Sequence, residues 1–144
     1  MKSVSRPVSM ALFALFASLM LATRFHHFGT ALNLPDASMA VFFLGGLYLR
    51  RPVPFAVLLA LAIAIDWISI ALAGVSDFCV TPAYAFLPLA YAALWYGARA
   101  YAPHVRETPM SMGLVLIVAL LCASLSFVIS NGAFYWFGGR YATP

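Results

Sequence analysis

The stretch from Met110 to Trp136, which holds no charged residue, most limits what this chain can fold into. About 20 apolar residues are enough for an α-helix to cross the hydrocarbon core of a bilayer, and within lipid only a helix or a closed barrel satisfies the backbone. Of the 144 residues 65% are hydrophobic and 8% are charged, whereas about a quarter of a soluble domain is charged. We therefore predict an all-α integral membrane protein, with one transmembrane domain over residues 1–144.

Five apolar segments predict a bundle of five transmembrane helices. They are expected at about Ser9–Arg24, Ala37–Leu49, Pro54–Ala73, Pro82–Tyr101 and Met110–Trp136. The second segment is short for a span, so we expect it to extend across Pro35 or to tilt little. A break in the fifth helix is expected near Asn131 and Gly132.

The first apolar run has one property of a signal peptide, because Lys2 and Arg6 precede it. Cleavage after Ala22 would put Met20 at the −3 position, where a small residue is needed. We therefore interpret this run as a retained first helix.

The basic residues predict which helix ends face the cytoplasm, because lysine and arginine collect in cytoplasmic loops. They occur in the N-terminus, the second loop and the fourth loop: Lys2, Arg6, Arg50, Arg51, Arg99 and Arg106. A cytoplasmic N-terminus follows. Trp95 and Tyr96 at the inner end of the fourth helix, and Trp136 at the outer end of the fifth, fit the aromatic belts of membrane proteins. No clustered basic face indicates nucleic-acid binding.

Asp66 is the one acidic residue inside an apolar predicted helix, about 12 Å from its outer end at 1.5 Å per residue. An ionisable group in a membrane span is costly, so it usually faces a cavity, a partner or the bundle interior. Two interpretations stay open at this point. Asp66 either binds a ligand or carries protons, or it forms a structural pair with Arg24 or a hydrogen bond with Tyr84.

Cys79 lies just ahead of a predicted helix start, where Thr81 is a good N-cap and Pro82 a good first residue. The positive end of the helix dipole favours a thiolate, and a thiolate is a soft metal ligand and a nucleophile. Asp77 opposes this, because like charges repel. The alternative is a small buried apolar residue, which is how we interpret Cys122 in the fifth helix.

Other polar and small residues give weaker indications. His26 and His27 are adjacent and project in different directions, so at most one is expected to face a given site. Three small residues recur every four positions on the first helix: Ala14, Ser18 and Ala22. This spacing lets another helix approach closely, either within this chain or in a partner. Motifs of ordinary hydrolases and phosphoryl-transfer enzymes are missing from the sequence.

Four short motifs carry a resemblance to a known family. In chain order they are "RFHHFG" from Arg24, "LPDAS" from Leu34, "AIDW" from Ala64 and "SDFCVTPAYAF" from Ser76. Together they resemble the substrate-binding S-components of energy-coupling-factor (ECF) transporters, in particular the BtuM family of cobalamin-uptake proteins. The resemblance implies a compact S-component fold with six spans, where the apolar segments predict five. It also implies a bacterial inner membrane and a substrate pocket open to the outside.

The resemblance also implies roles for individual residues. Cobalamin would occupy the pocket, with the Cys79 thiolate as axial ligand of cobalt in place of the nucleotide base, and the thiolate could promote decyanation of cyanocobalamin. His27, Asp66 and Tyr84 match positions that line or support the pocket. Phe78 and Phe86, with Trp67, would supply aromatic surface for the corrin ring. Ala14, Ser18 and Ala22 would dock an ECF transmembrane coupling subunit that is attached to ATPases.

Two other classes of function remain open from the sequence. The protein could be a membrane thiol or redox enzyme in which Cys79 turns over. It could also be a proton-coupled transporter of a small molecule that uses Asp66 as its proton carrier.

Overall fold

A computed structural model describes residues 5–24, 36–73 and 81–139 of the chain. The α-helices of this part are α1 (Arg6–Arg24), α2 (Ser38–Tyr48), α3 (Pro52–Ala73), α4 (Leu87–Tyr101) and α5 (Pro109–Phe137). Two short 3₁₀ helices flank α4: η1 (Pro82–Phe86) and η2 (Ala102–His104). Because α1, α3 and α5 are long and apolar enough to cross a membrane, the chain is a multi-pass membrane protein. Each of the five predicted helices corresponds to one of these α-helices, with its ends shifted by a few residues, and three of the five have the length of a membrane span.

The fourth predicted helix is in fact two elements, because Pro88 interrupts the α-helical pattern. Proline has no backbone N–H, so it cannot donate the bond that an α-helix would send to the carbonyl four residues earlier, that of Tyr84. The Tyr84 carbonyl instead accepts from the N–H of Leu87 in 3₁₀ geometry. Thr81 takes the N-cap position in extended conformation, as predicted, but its side chain makes no capping hydrogen bond.

The predicted break near Asn131 and Gly132 is wrong, because α5 runs through both residues to Phe137. The Asn131 side chain donates to the carbonyl of Phe127, 3.0 Å away and one turn earlier, so its polar group is satisfied along the helix. An unbroken helix also keeps the backbone bonded where lipid offers no partner. The extension of α2 across Pro35 is not seen either, since α2 begins at Ser38.

Consecutive elements run in alternating directions. Arg24, which ends α1, contacts Ser38, which begins α2. At the opposite end of the bundle, the Arg50 guanidinium after α2 donates to the carbonyl of Ala102 after α4. Phe86 and Phe137 stack with ring centroids 5.2 Å apart, so α5 finishes beside η1. We refer to the two ends of the bundle as the Arg24 end and the Arg50 end.

The core of the bundle forms where α2 meets α4. A Cβ on Gly45 would overlap the ring of Trp95, and one on Gly46 would overlap its backbone carbonyl. Trp95 is fully buried at 0% exposure, so its prediction as an interfacial belt residue is wrong. Gly45 leaves room for the indole ring of Trp95, and Gly46 lets the backbones of α2 and α4 approach.

Helix α5 lies at the edge of the bundle, against α4 and η1. Its large apolar side chains are mostly exposed, including Leu120, Leu121 and Val128, as expected of a surface that faces lipid. Cys122 is half-buried on the inward side, and its sulfur lies where a Cβ on Gly97 of α4 would point. This placement agrees with the interpretation of Cys122 as a packing residue.

Arg50 closes the Arg50 end of α2 and adopts a left-handed backbone conformation (φ 56°). Its backbone N–H donates to the carbonyl of Gly45, and its side chain donates to the carbonyl of Leu47. The last carbonyls of a helix have no partner within the helix. Arg50 supplies a donor to the carbonyl of Leu47 and a second donor to that of Gly45, which also accepts from the N–H of Leu49. It therefore has a structural role beyond the topological one that the sequence indicates.

Candidate functional site

Four described polar side chains converge on Arg24, the last residue of α1, which is 8% exposed. A guanidinium is costly to bury unless its donors are paired. Arg24 meets this condition with partners from α2, α3 and α4 and from the residues just before α2. From the sequence, Asp66 is the one contact expected of Arg24, so its contacts with α2 and α4 are an additional finding.

One side of the guanidinium binds Asp66 of α3 through two parallel hydrogen bonds. Nε donates to Oδ1 and Nη2 donates to Oδ2, each at 2.6 Å. This bidentate geometry fixes the plane of the carboxylate as well as its position. The Asp66 side chain is 14% exposed, so water competes little for the pair.

The other side of the guanidinium faces the start of α2 and the middle of α4. Nη1 lies 2.7 Å from the Tyr91 hydroxyl, 2.9 Å from the Ser38 hydroxyl and 3.1 Å from Asp36 Oδ2. It has two hydrogens for these three acceptors, so the acceptors share them. Asp36 Oδ1 also accepts from the backbone N–H and the hydroxyl of Ser38, which places a negative charge at the N-terminus of α2, where the helix dipole favours it.

Tyr84 of η1 completes the group, because its hydroxyl donates to Asp66 Oδ2 at 2.7 Å. Both structural alternatives for Asp66 are therefore present together, the ion pair with Arg24 and the hydrogen bond with Tyr84. We call the whole set the Arg24 cluster: Arg24, Asp36, Ser38, Asp66, Tyr84 and Tyr91. It joins α1, α2, α3, η1 and α4 through side chains.

The Arg24 cluster brings together the four motifs that carry the family resemblance. The described residues of each motif supply one or two members: Arg24 from "RFHHFG", Asp36 and Ser38 from "LPDAS", Asp66 from "AIDW", and Tyr84 from "SDFCVTPAYAF". Motifs spread over some sixty residues of sequence thus meet at one end of the bundle.

The remaining predicted site residues divide into three groups. Phe86 lies next to the cluster in η1, but its ring stacks on Phe137 of α5. Cys79, His27 and Phe78 lie outside the described residues. The small residues Ala14, Ser18 and Ala22 are on the exposed surface of α1.

Tyr91 is the one cluster member that lies outside all four motifs. It follows Tyr84 by seven residues, about two helical turns, so both tyrosines occupy one face of the η1–α4 segment. This spacing is the signal that could have identified it.

Two hydroxyls beside the cluster have no hydrogen-bond partner within the described structure. Ser69 Oγ lies on α3 one turn beyond Asp66, and Thr81 Oγ1 lies one 3₁₀ turn before Tyr84. Buried polar groups are normally paired. The hydroxyls of Ser69 and Thr81, which flank the Asp66–Tyr84 bond along the chain, thus make no hydrogen bond to another described residue.

Among the described side chains, no three of histidine, cysteine, aspartate and glutamate come together as a metal site. The described part of the Arg24 end thus supplies charged and hydroxyl groups, which can anchor and orient a polar molecule.

No protein-family model matches the chain, and no curated protein proved significantly similar to it in sequence. The function proposed below is therefore based on the structure and the sequence motifs.

Proposed function

We propose that the chain is an S-component-like membrane protein that binds cobalamin at its Arg24 end and serves in cobalamin uptake. The observation that supports the proposal is the meeting of four separate motifs in the Arg24 cluster. The motifs resemble those of one family. A shared functional site gives a physical reason for their occurring together.

Cys79 is the proposed cobalt ligand. It precedes Thr81 by two residues in the sequence, and Thr81 begins the segment whose Tyr84 contacts Asp66. Its thiolate would replace the nucleotide base as an axial ligand of cobalt, a bond that suits a soft sulfur donor. In cyanocobalamin, cyanide would then leave as an anion with its bonding pair, and cobalt would stay Co(III).

The surroundings that we assign to cobalamin combine polar anchors with aromatic surface, the usual composition of a small-molecule site. Asp66 and Tyr84 would support the pocket, together with His27. Phe78, Phe86 and the half-exposed Trp67 would cover part of the corrin ring.

The proposed location is a bacterial inner membrane with the Arg24 end outside. The described arginines support this orientation, because most lie at the Arg50 end: Arg6, Arg50, Arg51, Arg99 and Arg106. Such residues mark the cytoplasmic side. Arg24, at the opposite end, is held in ion pairs.

Coupling to ATP hydrolysis would come from a partner. Ala14, Ser18 and Ala22 lie on the exposed surface of α1, and small residues at this spacing permit close helix contact. We assign this surface to an ECF coupling subunit with its ATPases.

Proton-coupled transport gains no support from the geometry. A proton carrier must exchange protons with water, whereas the largely buried Asp66 carboxylate accepts three hydrogen bonds from Arg24 and Tyr84. No observation in the described part of the structure favours a thiol enzyme.

Visible absorption of the purified protein tests the proposal. The protein is produced with cobalamin in the medium, purified in detergent, and compared with Cys79→Ser and Cys122→Ser variants. Cys122→Ser is the matched control, because it removes the other thiol of the chain from the α4–α5 contact. We expect bound corrin in the wild type and in Cys122→Ser with the same spectrum, and a shifted spectrum in Cys79→Ser.

Absence of corrin from all three proteins would refute the proposed substrate. Bound corrin with a spectrum that ignores the loss of Cys79 would refute the cobalt–thiolate bond and leave cobalamin binding intact.

A further inference from the structure

In terms of hydrogen bonds between described residues, the Arg24 cluster has two parts that meet at Arg24. Its Nη1 atom donates to Asp36, just before α2, and to Ser38 and Tyr91, which lie on α2 and α4. Its Nε and Nη2 atoms serve Asp66, and Asp66 alone passes the connection on to Tyr84. Within the cluster, η1 is therefore linked to α2 and α4 by one series of side-chain hydrogen bonds, from Arg24 to Asp66 to Tyr84.

We infer that Arg24 is a positioning residue that sets the orientation of η1 through Asp66 and Tyr84. Two parallel bonds from Arg24 fix the plane of the Asp66 carboxylate. With that plane fixed, Oδ2 points in one direction, and the Tyr84 hydroxyl must approach from there. The guanidinium thus acts on an element with which it shares no hydrogen bond.

The geometry of η1 makes it responsive to this connection. It has five residues, and 3₁₀ hydrogen bonds are weaker than α-helical ones. Its first backbone bond runs from the N–H of Tyr84 to the carbonyl of Thr81 at 2.8 Å. Since Tyr84 supplies both this donor and the hydroxyl that reaches Asp66, holding its side chain also holds the start of η1.

Lysine cannot replace Arg24 in this role. Its ammonium is a point charge on a flexible stem, without the planar fork that meets both oxygens of a carboxylate. Arg24→Lys keeps the positive charge between Asp36 and Asp66 but leaves the Asp66 carboxylate free to rotate. This variant therefore separates positioning from charge balance.

A pair of tyrosine variants gives the matched control. Tyr84→Phe and Tyr91→Phe each remove one hydroxyl from the same cluster. Only Tyr84 lies on the path to η1, while the Tyr91 hydroxyl accepts from Nη1 on the core side. A role for Arg24 that is merely structural would make the two variants equivalent.

Amide hydrogen exchange by mass spectrometry, on the protein without ligand in detergent, tests the inference. We expect Arg24→Lys and Tyr84→Phe to speed exchange of the amides of Tyr84 and Leu87 on the order of tenfold, the effect of losing one charge-assisted hydrogen bond. Tyr91→Phe should leave them at the wild-type rate. If Arg24→Lys fails to fold, Asp66→Asn interrupts the same path and should speed the same amides.

Wild-type exchange in η1 of Arg24→Lys, or of Asp66→Asn in its place, would overturn the inference. So would a Tyr91→Phe variant that loosens η1 as much as Tyr84→Phe does. Neither of these exchange results depends on a bound ligand.

A second measurement links positioning to the proposed site and rests on the proposed function. Because η1 follows Cys79 in the sequence, a loosened η1 should weaken the cobalt–thiolate bond. Corrin-loaded Arg24→Lys should then show part of the spectral shift expected of Cys79→Ser. A wild-type spectrum would confine the role of Arg24 to η1 alone and overturn this extension. A wild type without corrin would refute the proposed function and leave the exchange result standing.

Discussion

Arg24 carries one positive charge and faces two carboxylates of unequal geometry. Asp66 meets it through two bonds of 2.6 Å and is 14% exposed, while Asp36 meets it through one contact of 3.1 Å and is 30% exposed. Removing one partner of a buried ion pair is costly because the other charge stays buried and unpaired. Pairs with access to water contribute far less.

The two aspartates should therefore differ when each is neutralised by the same substitution. We expect Asp66→Asn to lower the free energy of unfolding by roughly 3 kcal/mol, and Asp36→Asn to lower it by about 1 kcal/mol. Unfolding in mixed detergent micelles, followed by tryptophan fluorescence, measures both. Equal losses of unfolding free energy would show that the bidentate contact of Asp66 contributes no more stability than the single contact of Asp36.

At the scale of helices, α2 and α4 approach each other closely in the core. Gly46 lies against the backbone carbonyl of Trp95. Backbone cannot move aside as a flexible side chain can, so a methyl group at this position must push the two helices apart. Gly113 and Gly132 of α5 have open space where a Cβ would be.

Alanine substitutions at these glycines should have opposite effects. We expect Gly46→Ala to destabilise the protein by about 2 kcal/mol, a typical cost of overpacking. Gly113→Ala should be neutral or stabilising by up to about 1 kcal/mol, because alanine favours the helix. Thermal unfolding in detergent compares the two. A neutral Gly46→Ala would contradict the close contact.

The sequence allowed the helices to be predicted because apolar run length governs them directly. The main difference from the predicted helices is the division of the fourth into η1 and α4. Pro88 causes it, because its missing N–H affects the carbonyl of Tyr84, one turn earlier in the chain. Trp95 could not be assigned correctly from its own segment. Near a helix end it matches an interfacial residue, and only the packing of Gly45 and Gly46 against it shows otherwise.

The candidate site could be predicted in part. A buried acid in an apolar helix needs partners, and this requirement indicated Arg24 and Tyr84 for Asp66. The contacts of Arg24 with Ser38 and Tyr91 follow from how α2 and α4 pack, and Arg24 and Tyr91 are 67 positions apart in sequence. No local pattern encodes that packing.

At the scale of the whole molecule, alternating helices place Glu107 and Gly139 at opposite ends of α5. The arginines at the Arg50 end predict that this end is cytoplasmic. A green fluorescent protein fused after Glu107 should therefore fluoresce, and an alkaline phosphatase fused after Gly139 should be active outside. Exchanging the two reporters provides the control. Phosphatase activity at Glu107 would reverse the orientation.

The brevity of α2 has a consequence for how the protein is made. Its 11 residues extend about 16 Å, roughly half the thickness of the hydrocarbon core. Such a segment gains too little from lipid to enter the bilayer by itself, so we expect it to enter as a hairpin with a neighbour. Its glycine surface fits Trp95, which the ribosome adds about fifty residues later. Until α4 has been synthesised, the glycine surface of α2 is without its packing partner. A chaperone or insertase that assists folding of this protein would act at that stage.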